Sequence, residues 1–194
     1  MPTLRIDNKN IEVKRLANGA FSRVYQGVEN GIIYALVEDN SGDYTKEAIA
    51  DWTDHNNPHI PQIKRESINN SLSSLPYLDF YVFSMPHYGV TKGEARKTAR
   101  QLIDLWWEFM ARNPIRNHNA EWLFYDRCDA FLNTLEGDFS DTLIDALESI
   151  LGAMTNYSQA VNWDFKMDNF KMDNEGNLIL LDVIFDITAR QGLS

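Results

Sequence analysis

The apolar residues of this chain change their spacing at Pro86, and that change limits the fold more than any other feature. Before Pro86 they recur about every second residue, the repeat of a half-buried strand. Leu4, Ile6, Ile11 and Val13 alternate in LRIDNKNIEVKRL, FSRVYQGV alternates less cleanly, and GIIYALVE is a short apolar run. Asn30-Gly31 is a strong turn signal, because both residues tolerate positive φ. Strands over about 21–29 and 32–38 are therefore expected to pair across it. DYTKEAIADWTDH predicts one short helix with Ala48, Ile49 and Trp52 on one face, and HNNPHIP ends it. QIKRESI and LDFYVFSMP predict two further strands around the polar turn NNSLSS. The expectation is a sheet of about five strands carrying one helix.

After Pro86 the repeat lengthens to that of a helix. KGEARKTARQLIDLWWEFMARN carries Leu102, Leu105, Trp106, Phe109 and Met110 on one side. AEWLFYDRCDAFLNTL predicts a second helix, and DTLIDALESILGAMTNYSQAV a third with Leu143, Leu147, Ile150, Leu151 and Met154 along one face. The chain then returns to strand in FKMD and LILLD, joined by the turn 174–177. This order predicts an α+β, two-lobed architecture: a β-rich part over 1–84, a connector over 85–90 and a mostly helical part with a β-hairpin over 91–194. Ligands favour the cleft between such parts.

Composition narrows the function. No apolar run approaches the roughly 18 residues of a membrane span, and MPTLRIDNKN lacks the apolar core of a signal peptide, so a cytoplasmic protein without membrane contact is expected. Cys128 is the only cysteine, which excludes an internal disulfide and a cysteine-rich zinc site and reads as a buried, indifferent thiol. The formal charge of −10 argues against direct nucleic-acid binding, which needs clustered Lys and Arg. An acidic surface aids solubility or attracts a basic, nucleic-acid-binding protein. His55, His59, His87 and His118 are scattered and form no helical ligand pair.

One stretch carries more chemistry than the rest. In WDFKMDNFKMDNEGNLILLD, Asp164, Lys166, Asn169 and Asp182 follow one another at steps of two, three and thirteen residues. An acidic chain produces some such spacing by chance, and Asp173 to Asn177 is most simply a hairpin turn. Two carboxylates, an amide and an ammonium are also the side chains that hold a metal ion and phosphates.

The stretch resembles the protein-kinase-like family. Asn162-Trp163-Asp164 stands where that family has H-R-D, Asp164 to Asn169 matches D-x-K-x-x-N, and Asp182-Val183-Ile184 stands where D-F-G would be. The resemblance implies Mg-ATP as cofactor. Asp164 would orient a Ser or Thr hydroxyl, Lys166 would face the transferred phosphoryl group, and Asn169 and Asp182 would bind Mg²⁺. LANGAFSRVYQG looks like a degenerate glycine-rich loop, with Gly19 as its middle glycine, Phe21 at its tip and Val24 packing on the adenine, while Ala17 and Ser22 replace its outer glycines. Ala35 matches the alanine of V-A-I-K, and Met85 to Tyr88 would form the hinge that hydrogen-bonds adenine. Val37, however, stands where that motif has its lysine. Glu47 would match the usual glutamate partner, and Arg23, Lys14 or Lys46 are candidates for a substitute cation.

In its compact plan the chain is similar to the early Ser/Thr protein kinases of T-seven-like podophages, associated with host takeover and transcription shutoff. That likeness implies a phage origin and action on host proteins in the bacterial cytoplasm. Only twelve residues follow Asp182, so no peptide platform of the usual kind is expected, and Asp186 and Arg190 read as surface charges. Three readings follow: a phage-type protein kinase of atypical activity, a catalytically dead pseudokinase that binds and inhibits a host enzyme or defence protein, and an acidic decoy whose charge does the binding.

Overall fold

The computed structural model describes residues 2–7, 9–18, 22–38, 44–66, 80–114, 122–135, 137–158 and 160–188. It is a mixed α/β structure. Strands β1 (Thr3–Ile6), β2 (Lys9–Asn18), β3 (Ser22–Gly27) and β4 (Ile33–Glu38) precede helix α1 (Thr45–Trp52), then β5 (Lys64–Glu66) and β6 (Phe80–Met85). These six strands form one antiparallel sheet in the order β1-β2-β3-β4-β6-β5.

The sheet has one strand more than the sequence predicts, because 4–13 is a hairpin and not a single strand. Leu4 and Ile6 are even-numbered, Ile11 and Val13 odd, and a side-chain repeat of two cannot change parity without a turn. Asp7, with φ of 48°, is part of that turn. Leu4 then pairs with Ile11 in antiparallel register. The β3–β4 hairpin forms as expected, although β3 stops at Gly27. Gly31 takes φ of 69°, and the Ile32 amide donates to Asn30 Oδ1 at 3.0 Å. The polar turn over 69–74 lies outside the described residues.

Strand β4 is buried on both faces. Tyr34 and Leu36 pack with Leu4, Ile6, Val13 and Val82 in a small cluster on one side. Ile33, Ala35 and Val37 point the other way, into the main core that the helices complete. Those helices are α2 (Gly93–Arg112), α3 (Trp122–Leu132) and α4 (Asp141–Met154). Helix α4 starts at an N-cap, Ser140, whose hydroxyl accepts from the Leu143 amide. Its Leu143, Leu147, Ile150 and Leu151 are all buried, as their spacing predicts.

The remaining strands are short. Gly89–Val90 forms β7, Val161–Trp163 β8, Phe170–Met172 β9, Leu178–Leu180 β10 and Ile184–Asp186 β11. They make two small antiparallel sheets, β10-β9-β7 and β11-β8. The connector expected over 85–90 thus ends in a strand, with Gly89 opposite Met172. Among the described residues, no helix is long and apolar enough to cross a membrane.

Candidate functional site

Two antiparallel pairings bring the spaced residues of 164–182 to one place. Strand β8 pairs with β11, Trp163 opposite Ile184, so the Asp164 amide donates to the Val183 carbonyl at 2.7 Å. Strand β9 pairs with β10, Phe170 opposite Leu180. The residue before β9 is Asn169, and its carbonyl accepts from the Leu181 amide at 3.1 Å. The thirteen-residue step is thus closed by the hairpin, and a 3-10 turn over Met167–Asn169 closes the five-residue step from Asp164.

The alternation within WDFK decides which side chains face out. Trp163 and Phe165 are buried and stack at 5.0 Å between ring centroids, and Phe165 also meets Trp106, Phe131 and Phe170. Asp164 and Lys166 therefore leave on the opposite side, and Lys166 Nζ meets Asp164 Oδ2 at 2.7 Å. Asn169 ties the arrangement together. Its buried amide nitrogen donates to the Asp164 carbonyl at 2.7 Å, the Asp182 carbonyl at 2.7 Å and Asp164 Oδ2 at 3.1 Å. All four spaced residues come together.

A fifth side chain joins them from 136 residues away. Lys46 of α1 places Nζ 3.1 Å from Asp182 Oδ1. The lysine side chain is 9% exposed and the aspartate side chain 47%. An ammonium taken out of water needs a compensating charge, and Asp182 supplies one. Helix α1 packs on α4 and β5. Tyr44, just before α1, stacks on Tyr157 at 5.3 Å, which fixes the end of the helix nearest Lys46.

Glu47 does not take the role expected for it. It points to the sheet edge, where Arg65 Nη1 lies 2.6 Å from its Oε1 and 4.0 Å from Asp51 Oδ2. Glu47 and Asp51 are one helical turn apart and share a face, and Lys46 is on another. Val37, where a lysine would be expected, is 3% exposed and belongs to the main core.

The other residues singled out in the first third lie mostly on one sheet face. Val24 is opposite Ala35, Ala35 opposite Phe83, and Ile33 opposite Met85. Ala35 and Met85 are buried in the main core, and Val24 packs against it partly exposed. Gly19 and Phe21 lie outside the described residues, as do His118 and Arg190. Asp186 is not a surface charge. It is buried and accepts from the Thr188 amide at 2.7 Å and hydroxyl at 2.6 Å.

A cavity of about 1050 Å³ is lined by Gln26, Gly31, Gln62, Arg65, Met85 and His87 among others. Asp164, Asn169 and Asp182 are not in its lining, so the charged cluster and not this cavity locates the candidate chemistry.

The donor set suits a hard cation and an anionic ligand. Asn169 spends its nitrogen on three oxygens, which leaves its carbonyl oxygen as a hard-oxygen donor, and the Asp182 carboxylate is half exposed. Among the described residues no three His, Cys, Asp or Glu side chains gather as a metal site. A cation here would thus rely on a carboxylate, an amide oxygen and oxygens of its own ligand, the arrangement Mg²⁺ favours with phosphates.

No protein-family description and no curated protein matches this sequence. Among solved structures, the BubR1 kinase domain aligns with a TM-score of 0.37 at 16% identity, over 96% of this chain and 51% of that one, so the chain spans about half of that protein's length.

Proposed function

We propose that this chain is a phage-type Ser/Thr protein kinase-like protein that binds Mg-ATP between its β-rich residues 1–84 and its later residues 91–194, with 85–90 as the hinge. The convergence of Asp164, Lys166, Asn169 and Asp182 at one point carries the reading. In this scheme Asp182 and Asn169 hold Mg²⁺, which when bound neutralises phosphate charge. Asp164 accepts the hydrogen bond of a Ser or Thr hydroxyl and orients it. Lys166, already 2.7 Å from Asp164, offsets charge developing on the phosphoryl oxygens. The kinase resemblance assigns Gly19 and Phe21 to the phosphates and Val24, Ala35 and Met85 to the adenine, although Ala35 and Met85 are buried in the main core here. The residue pattern of the phage kinases supports host proteins as substrates, and the charge of −10 favours basic ones.

A thermal-unfolding series tests it. Mg-ATP should raise the melting temperature of the wild-type chain, since a ligand binding only the folded state stabilises it by about 2.7 kcal/mol at a hundredfold excess over Kd. Asp182→Asn should remove the magnesium dependence of that rise. An equal rise in both proteins would overturn the assignment.

One observation favours a second reading. Val37 is core, so the usual phosphate-binding lysine is missing from β4. A pseudokinase that inhibits a host enzyme or defence protein would tolerate that loss. It predicts a stable host complex whose affinity ignores Asp164→Asn.

A further inference from the structure

We infer that Lys46, carried by helix α1, is the cation that grips the nucleotide phosphates in this chain. The inference rests on the Mg-ATP reading above and goes beyond it, because the usual strand position offers only Val37.

Three observations point to Lys46. Its ammonium is 3.1 Å from Oδ1 of Asp182, the carboxylate that the Mg-ATP reading assigns to Mg²⁺, and its side chain is almost enclosed. The helix that carries it is held in place. Tyr44 stacks on Tyr157, Ala48 and Ile49 are buried, and Arg65 takes Glu47 on a different face. The strand position, finally, has been given to the core, since Val37 sits with Ile33, Ala35 and Phe83 in one apolar cluster.

Moving the cation from strand to helix also explains Glu47. In the usual arrangement a strand lysine needs a helix carboxylate to hold it. Here the helix supplies the lysine and Asp182 holds it, so no carboxylate is needed on that face. Glu47 is left to fasten α1 to the sheet edge through Arg65. Arg23 and Lys14, the other candidates, sit on β3 and β2 opposite Leu36 and Gln26. Lys46 has the ion pair to the site itself.

Lys46 is a phosphate-binding residue in this account and takes no part in bond making. Its effect must therefore depend on the phosphates of the ligand. Adenosine shares the base and sugar with ATP and lacks the phosphates, so it separates contact with phosphate from a general role in the fold.

The test is calorimetric titration of the full chain with Mg-ATP and, separately, with adenosine. Lys46→Met should weaken Mg-ATP roughly 10- to 100-fold, the range for one charged hydrogen-bonding group, and leave adenosine unchanged. If the wild type binds Mg-ATP and Lys46→Met binds it equally well, Lys46 is excluded while the Mg-ATP reading stands. Equal losses for both ligands would mean that Lys46 only supports the fold, and would also overturn the inference. If the wild type binds neither ligand, the inference and the reading beneath it fall together.

A second measurement needs no variant. An acyl-phosphate derivative of ATP transfers its acyl group to a nearby lysine: an amide bond forms at Nζ, the acyl–phosphate bond breaks and ATP leaves. Peptide mapping should find the label on Lys46, suppressed by excess Mg-ATP. Label on Lys166 or elsewhere, with Lys46 unmodified, would overturn the inference.

Discussion

The side-chain amide of Asn169 donates to the main-chain carbonyl of Asp182 at 2.7 Å, across thirteen residues of sequence. The same nitrogen serves the Asp164 carbonyl at 2.7 Å, so one buried amide joins the strand ends on both sides of the site. Asn169→Ala should therefore destabilise the chain by about 2 kcal/mol, roughly one for each carbonyl left without its donor. Asn169→Asp should cost at least as much, because it turns an acceptor toward two carbonyls. Urea unfolding of the two variants checks both values.

The Lys46–Asp182 pair should show measurable coupling. One partner is nearly enclosed and the other half exposed, so the interaction lies between a buried and a surface ion pair. A double-mutant cycle of Lys46→Met and Asp182→Asn should give a coupling of about 1–2 kcal/mol, with the double variant more stable than additivity allows. Additive losses would mean the pair contributes nothing.

Cys128 supplies a test at alkaline pH. Burial pushes its thiol up from the ordinary value to about 12, outweighing the hydrogen bond with Trp163 and the Arg127 charge, which act the other way. The folded chain then keeps this proton where the unfolded chain has lost it. The stability from this group is complete below the unfolded value near 9, and is lost as pH rises from there toward 12. Cys128→Ala should flatten that alkaline decline. At pH 8 the native thiol should resist iodoacetamide, and react quickly once denaturant opens the fold.

Asp173 supplies a test at the opposite end of the pH range. Burial raises its pKa, but donors from the Asn177 side chain and from the amides of Asn177, Glu175 and Gly176 outweigh that and leave it below the ordinary value of 3.8. Its contribution is therefore present above the unfolded value and lost as pH falls below about 3.8 through the folded one. Asp173→Ala should destabilise the β9–β10 hairpin at neutral pH by about 1 kcal/mol. The difference from wild type should shrink in acid, as measured by thermal unfolding from pH 7 to pH 2.

The long amphipathic helices and the β3–β4 hairpin were legible from the sequence because each has a local signal several residues long. Leu143, Leu147, Ile150 and Leu151 are buried as their spacing requires, and Gly31 takes the positive φ its turn needs. The β1–β2 hairpin was legible in principle, through the change of parity between Ile6 and Ile11. Strand β7 was not, because two residues at Gly89–Val90 have no period, and only pairing with β9 makes them a strand. Within the candidate site, the step of five and the step of thirteen reflect a 3-10 turn and a hairpin, so sequence spacing sufficed to bring Asp164, Asn169 and Asp182 together. The approach of Lys46 to Asp182 was not legible, since Lys46, Lys14 and Arg23 stood as equal candidates. Lys46 and Glu47 are neighbours on one short helix, and which faced the site depended on how α1 packs against α4 and β5. Asp186 carried a local signal that went unread, because Thr188, two residues on, supplies both donors in an Asx-type turn.

The most direct test of the central claim is transfer of labelled γ-phosphate from Mg-ATP to bacterial lysate and to the chain itself, comparing wild type with Asp164→Asn. The account predicts labelled protein with the wild type, and a loss of about a hundredfold or more in the variant. Equal labelling by both proteins, or none by a folded wild type, would contradict it.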